Sequence, residues 1–193
     1  MTNEQARRLA EERLSQKRFQ HTVNVCELAV ELAKKWGADP EKAALAALLH
    51  DTAKELPKEQ MLQIIKDNAI MAGNAHLRPS PVWHGVCAAI LARTEWGVED
   101  EEVLSASACH TTGKAGMSLL DKIIFLADMT SAERTYPEVE YLRRREHEDI
   151  HQAMVEALEM NIQWLEESGR PVDEESCRAL QDLRQNIGGR SHL

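Results

Sequence analysis

The sequence predicts an all-α fold, a bundle of about eight to ten helices with no significant sheet. Apolar residues recur at three- and four-residue spacing along almost the whole chain, and the alternation of a half-buried strand is nearly absent. Helix-start and helix-stop residues fall where that periodicity breaks. A length of 193 residues suits one domain with a real core. That domain is expected to span 1–193, with a core at about 18–168, a C-terminal helix over 173–186 and a frayed tail over 187–193.

The first helix is expected over 3–15 and the second over 18–36, where His21 shares an apolar stripe with Val25, Leu28, Leu32 and Trp36. Gly37-Ala38-Asp39-Pro40 ends that helix and starts the next, over 40–53, with Asp39 as N-cap and Pro40 at the first helical position. Pro57 opens a helix over 57–71. The connection Ala72 to Pro81 follows, with Gly73, Pro79 and Pro81. A helix over 81–96, stopped by Gly97, places His84 on one face with Ala88 and Leu91. A helix over 99–110 ends an inward face of Val103, Ala106 and His110. Gly113 and Gly116 bracket a loop before the helix over 117–131, in which Asp128 shares a stripe with Leu120 and Ile124. Helices over 137–145, 148–168 and 173–186 complete the chain.

The net charge is −9, from 23 Lys and Arg against 32 Asp and Glu. This balance argues against nucleic acid as a partner, which selects a basic footprint, but leaves a phosphorylated small molecule open if cations gather locally. Cys26, Cys87, Cys109 and Cys177 form no C-x-x-C pair and read as reduced, half-buried thiols. Residues 1–18 lack the apolar core of a signal peptide, and no apolar run reaches the roughly 20 residues of a spanning helix. The expected setting is cytoplasmic, with no membrane partner. A homodimer is left open.

His50-Asp51 is the most informative feature. The pair follows the apolar run Ala43 to Leu49. Burying a carboxylate costs several kcal/mol unless a cation or a hydrogen bond compensates it. Taken singly, His21, His84 and His110 each read as a structural histidine, whereas Asp128, costly in an apolar stripe without a partner, reads as a metal ligand with a buried salt bridge as the alternative. Their joint inward placement on separate helices points to one metal centre, because neutral imidazoles and carboxylates suit first-row ions. His147-Glu148-Asp149-Ile150-His151 fits the H-E-x-x-H zinc-protease pattern, but Arg143-Arg144-Arg145-Glu146 before it reads as a solvated face.

In this order, His21, His50-Asp51, His84, His110 and Asp128 resemble the HD-domain metal-dependent phosphohydrolases. The stretches Arg18–Thr22, Leu48–Lys54, Trp83-His84-Gly85 and His110–Asp128 are closer still to the bacterial symmetrical diadenosine tetraphosphate hydrolases. The resemblance implies an HD-domain-like bundle over roughly residues 5–168. It implies a divalent metal at His21, His50, Asp51 and Asp128, with iron expected and manganese or another first-row ion as alternatives. His84 and His110 would bind a second metal or phosphate, giving one or two ions. Asp51 is the implied catalytic residue and Arg134 an implied phosphate contact, with a surface ion pair as its alternative. Lys54, one turn after His50, is read as a second catalytic residue that holds phosphate or orients Asp51, or else as a surface lysine; Thr111, Thr112 and Gly113 are read as substrate contacts offering hydroxyls and a backbone N–H to phosphate, or else as a tight turn. The implied reaction splits diadenosine tetraphosphate into two ADP through a metal-bound water or hydroxide. Hydrolysis of a mononucleotide, an alarmone or a cyclic dinucleotide is the enzymatic alternative, and a signalling module the non-catalytic one. The chain departs from the family's usual Tyr-Ile-Glu-Pro after the last aspartate, carrying Met129-Thr130-Ser131-Ala132, and has Lys114 for a common arginine. Its Pro171–Gln181 segment matches the family poorly. The Ala72–Pro81 connection is a candidate lid.

Overall fold

A computed structural model describes residues 1–188. Residues 189–193, which hold most of the expected frayed tail and His192, lie outside the described residues. Eleven α-helices and no strand occur among the described residues. None of these helices is long and apolar enough to cross a membrane.

Helix α1 (Asn3–Arg13) starts from a capping box between Thr2 and Gln5. Helix α2 (Gln16–Trp36) ends where Gly37 adopts a φ of +81°, a turn that glycine makes without steric cost. Asp39 then accepts from the Glu41 and Lys42 amides to cap α3 (Pro40–Leu49). α3 stops earlier than its periodicity predicts. The Thr52 hydroxyl donates to the Leu49 carbonyl, and the Thr52 amide bonds the same oxygen. Residues 51–55 therefore form turns, and Asp51 leaves the helix axis.

The helix expected over 57–71 is two helices, α4 (Lys58–Asp67) and α5 (Ala69–Ala72), broken at Asn68. The Asn68 amide side chain donates to the Ile64 carbonyl, offering the backbone an alternative to a continued helix. Two short 3-10 turns, Ala75–Leu77 and Ser80–Val82, lead into α6 (Trp83–Thr94). Then come α7 (Glu101–Cys109), α8 (Leu119–Thr130), α9 (Val139–Glu148), α10 (Ile150–Glu167) and α11 (Glu174–Gly188).

The main core joins Val25, Leu32, Leu49, Ile123, Ile124, Phe125, Met154 and Leu158. A second cluster, with Met61, Ile65, Cys87 and Ile90, packs α4 against α6. The cysteines are free thiols, but they are not uniformly half-buried: Cys87 and Cys109 are buried and Cys177 is exposed.

Glu146 is an expensive feature of this core. It is fully buried. One carboxyl oxygen accepts from the Thr130 hydroxyl; the other finds no hydrogen-bond partner among the described residues and has His147 Nδ1 3.9 Å away. Burial pushes its pKa up from 4.5 to about 7, against the Thr130 hydrogen bond and the nearby His147 and Arg143 charges. The folded state thus holds this proton more tightly than the unfolded chain. The resulting stability is full below about pH 4.5 and is lost as the pH rises to about 7, by up to about 3 kcal/mol. Glu146→Gln should remove that slope and be the more stable protein at pH 8. Denaturant melts of both proteins at pH 5 and pH 8 check this, and equal slopes would contradict it.

Candidate metal centre

The ligand-type residues predicted from sequence converge. His21 faces inward from α2, His50 caps α3, His84 lies in the first turn of α6, and His110 caps α7. His21, His50, Asp51, His84 and His110 are all at most 6% exposed. Asp128, on α8, is half-buried.

Asp51 is the hub. Its Oδ2 lies 3.7 Å from His21 Nε2 and 3.5 Å from His50 Nε2. Its Oδ1 lies 3.3 Å from His84 Nε2 and 3.7 Å from His110 Nε2. Each carboxylate oxygen thus serves one pair of imidazoles. His21 Nε2 is also 3.0 Å from Asp128 Oδ1, and His84 and His110 approach Nε2 to Nε2 at 3.0 Å. His21-His50-Asp51 and Asp51-His84-His110 are each compact enough to hold an ion.

The donor chemistry fits a metal. His21 Nε2, His50 Nε2 and Asp51 Oδ1 are buried and lack hydrogen-bond partners among the described residues, an arrangement that a cation would satisfy. Three of the rings turn Nδ1 away to a backbone carbonyl: His50 to Ala47 at 2.5 Å, His84 to Pro81 at 2.9 Å and His110 to Ser107 at 2.8 Å. That leaves Nε2 for the centre. Burial pushes the His110 pKa down to about 3 and lowers His84 as well, so both stay neutral as metal ligation requires. Burial opposes charge on Asp51, but the His50 and His84 contacts outweigh it and hold the carboxyl well below its usual range. At His50, burial is likewise outweighed, and the Asp51 charge raises the pKa.

Cations surround this centre. Lys54 Nζ is 3.3 Å from His84 Nε2, its pKa lowered by burial despite the attraction of Asp51. Arg134 donates to Asp128 Oδ1 at 2.6 Å and to the Asp128 carbonyl. Beside His21 lies a cleft of about 300 Å³ lined by Ser15, Lys17, Arg18, Glu55, Glu133 and Arg134. In an acidic protein, this is the local gathering of positive charge that an anionic substrate needs.

A family model described as the HD domain matches residues 18–133, the stretch that carries every one of these ligand-type residues. The chain belongs to the HD-domain family. Its relatives include the symmetrical bis(5'-nucleosyl)-tetraphosphatase of Bacillus subtilis (strain 168), 38% identical over 172 residues, 89% of this chain and 92% of the relative. The protein of the same name from Staphylococcus aureus (strain NCTC 8325 / PS 47) is 42% identical over 145 residues, 74% of this chain and 73% of that one. A crystal structure from Clostridium acetobutylicum, described as a "predicted HD superfamily hydrolase involved in NAD metabolism", superposes with a TM-score of 0.91. It is 33% identical, and the match covers 96% of this chain and 98% of that one.

Within this HD domain, the predicted loop residues lie apart from the Arg18–Arg134 cleft. Thr112 is buried, donates to the Gly113 carbonyl and accepts from Arg78 at 3.0 Å. Gly113, at a φ of +65°, lines a different cleft of about 450 Å³ with Arg78, Lys114 and Glu175. The Thr111 hydroxyl is buried without a partner among the described residues. Arg78 comes from the candidate lid and also pairs with Asp173 at 2.7 Å, so that connection is tied to the loop after His110. Lys114 Nζ is taken by Ser105 and buried Asp121.

The H-E-x-x-H segment is not a site. Asp149, at φ −154° and ψ 101°, separates α9 from α10, so His147 and His151 do not share one helix. His147 bonds Glu31 and the Arg143 carbonyl instead.

Two contacts of the HD centre escaped the sequence reading. Arg18 Nη1 donates to Asp51 Oδ2 at 3.0 Å; its place three residues before His21, on the same helical face, was the available signal. Glu133 hydrogen-bonds His21 Nδ1. At a sequence separation of 112, no local pattern announces it.

Proposed function

We propose that this HD protein hydrolyses diadenosine tetraphosphate symmetrically, giving two ADP, with a divalent metal held by His21, His50, Asp51 and Asp128. The arrangement that carries the reading is Asp51 at the meeting point of four inward Nε2 atoms, beside a cleft lined by Lys17, Arg18 and Arg134. The symmetrical tetraphosphatase name of its relatives supplies the substrate.

When bound, the metal would lower the pKa of water and neutralise charge on phosphoryl oxygens. The mixed imidazole and carboxylate set suits iron, with manganese as the alternative. His84 and His110 complete a second subsite across Asp51, available to another ion or to a phosphate oxygen. Asp51 spans both subsites and fixes their separation. Lys54, half-buried next to His84, offers a cation to an inner phosphate, and Arg134 offers a planar fork that suits phosphate bidentately. Thr111, Thr112 and Gly113 are assigned to a part of the substrate that reaches past the Arg18–Arg134 cleft, toward the neighbouring one that Gly113 lines with Arg78 and Lys114. The whole chain is taken as one catalytic domain. In-line attack of water at an inner phosphate consumes one water and releases one ADP from each half of the substrate.

One anaerobic preparation tests this. Elemental analysis should find a first-row metal, and ion-exchange chromatography should find ADP as the sole nucleotide product of diadenosine tetraphosphate. A mixture of ATP and AMP would overturn the symmetrical cut. Turnover only with a mononucleotide or a cyclic dinucleotide would move the protein to a different substrate class.

A further inference from the structure

The four histidines of the centre solve the same problem in two ways. Each must present Nε2 inward and give Nδ1 a partner. His50 and His110 follow the last helical residues of α3 and α7, where terminal carbonyls lack intrahelical donors. Each ring takes the carbonyl three residues back. His84 opens α6 and does the same with Pro81. His21 has no such option. It lies inside α2, which runs from Gln16 to Trp36, so the carbonyls of Lys17 and Arg18 are engaged by the helix ladder.

The partner of His21 Nδ1 is Glu133 Oε1, delivered from beyond the end of α8. Other contacts hold that carboxylate in place. Asn24 Nδ2, three residues after His21, donates to Glu133 Oε2 at 2.6 Å. The Ser131 hydroxyl donates to Oε1 at 2.7 Å. Burial opposes the charge on Glu133, but these hydrogen bonds keep it ionised, below the usual carboxylate range. Among the described residues, His21 is thus the one imidazole of the four whose Nδ1 is met by a side chain.

We infer that Glu133 is a positioning residue of the metal centre: it accepts the Nδ1 proton of His21 and so fixes the ring with the Nε2 lone pair aimed between Asp51 and Asp128. The inference rests on the metal-centre reading above. A carboxylate in this place orients the ligand ring and fixes its tautomer. It also joins the ring to the substrate cleft, because His21 and Glu133 both line it.

The test uses the full chain and Zn²⁺, a diamagnetic probe, with affinity read by competition against a chromophoric chelator. Glu133→Ala should weaken Zn²⁺ binding by about 10- to 100-fold, the range for removing such a partner. Glu133→Gln keeps an acceptor and should recover part of the loss. In a His21→Ala background, Glu133→Ala should add nothing further. In the Zn²⁺-loaded parent, the His21 Nδ1–H resonance should be visible by NMR and should be lost in Glu133→Ala. Thermal melts of each variant separate misfolding from a changed ligand. An unchanged affinity in Glu133→Ala, or an equal additional loss in the His21→Ala background, overturns the inference alone. A parent protein that binds no Zn²⁺ removes the metal centre and this inference together.

Discussion

Asp51→Ala is expected to lose its metal and to lower turnover of diadenosine tetraphosphate by about a thousandfold or more, the upper range for deleting a preorganised electrostatic partner. The reason is its position. One oxygen faces His21 and His50 and the other faces His84 and His110. Removing the carboxylate deletes the shared ligand of both subsites, whereas removing any one histidine deletes a ligand of one. It also leaves four imidazoles and the Arg18 guanidinium with Asp128 as the one carboxylate remaining in the ligand set, and Asp128 is shared with Arg134. Folding should survive, since Asp51 lies beyond the apolar run of α3 that builds the core. Elemental analysis and product chromatography read the result, with circular dichroism as the folding control. Wild-type turnover in this variant would remove Asp51 from the chemistry. Asp51→Asn sharpens the test: it keeps the volume but not the charge, so it should fail nearly as badly.

The helices were legible because α-helical order here is local. Stripes such as His21-Val25-Leu32 are read directly from spacing, and Asp39-Pro40 marks a boundary that the structure keeps. The boundaries that moved are those decided by a side chain competing for a backbone group. Asn68 takes the Ile64 carbonyl and splits one helix, and Thr52 takes the Leu49 carbonyl and ends another early. Periodicity is blind to both.

The centre was legible for a related reason. A histidine or an aspartate in apolar company is conspicuous, and six such positions share one explanation. What surrounds them was not legible. Glu133 and Arg18 stand in polar company, where another charge carries no signal, and their meaning depends on which helix lies opposite. The buried Glu146 was read as part of a solvated face because three arginines precede it. Only the packing of α9 against α10 and the end of α8 shows that its side chain turns inward to Thr130.

Gly85→Ala should damage both the fold and the site, although it adds a single methyl group. Gly85 lies in α6, directly after His84. A Cβ there would sit 2.9 Å from the carbonyl oxygens of both Ser107 and Ala108, and 3.1 Å from His110 Nδ1. The first two are backbone atoms near the end of α7 and cannot swing away, so α6 and α7 must separate. Overpacking of this kind costs about 1–3 kcal/mol. The cost to chemistry should be larger, because the same separation pulls His84 from His110, now 3.0 Å apart, and disturbs the Ser107 carbonyl that orients the His110 ring. Displacements approaching 1 Å at a reacting centre can cost about a hundredfold in rate. The expected protein is therefore folded, lower in melting temperature, and strongly impaired in turnover. Its Zn²⁺ affinity should fall at the His84-His110 subsite more than at the His21-His50 subsite. Gly85→Ser should behave like Gly85→Ala, since the clash lies at Cβ. Parental stability and turnover in Gly85→Ala would mean that α6 and α7 have slack between them, and that the spacing of the second subsite is not set by this close approach.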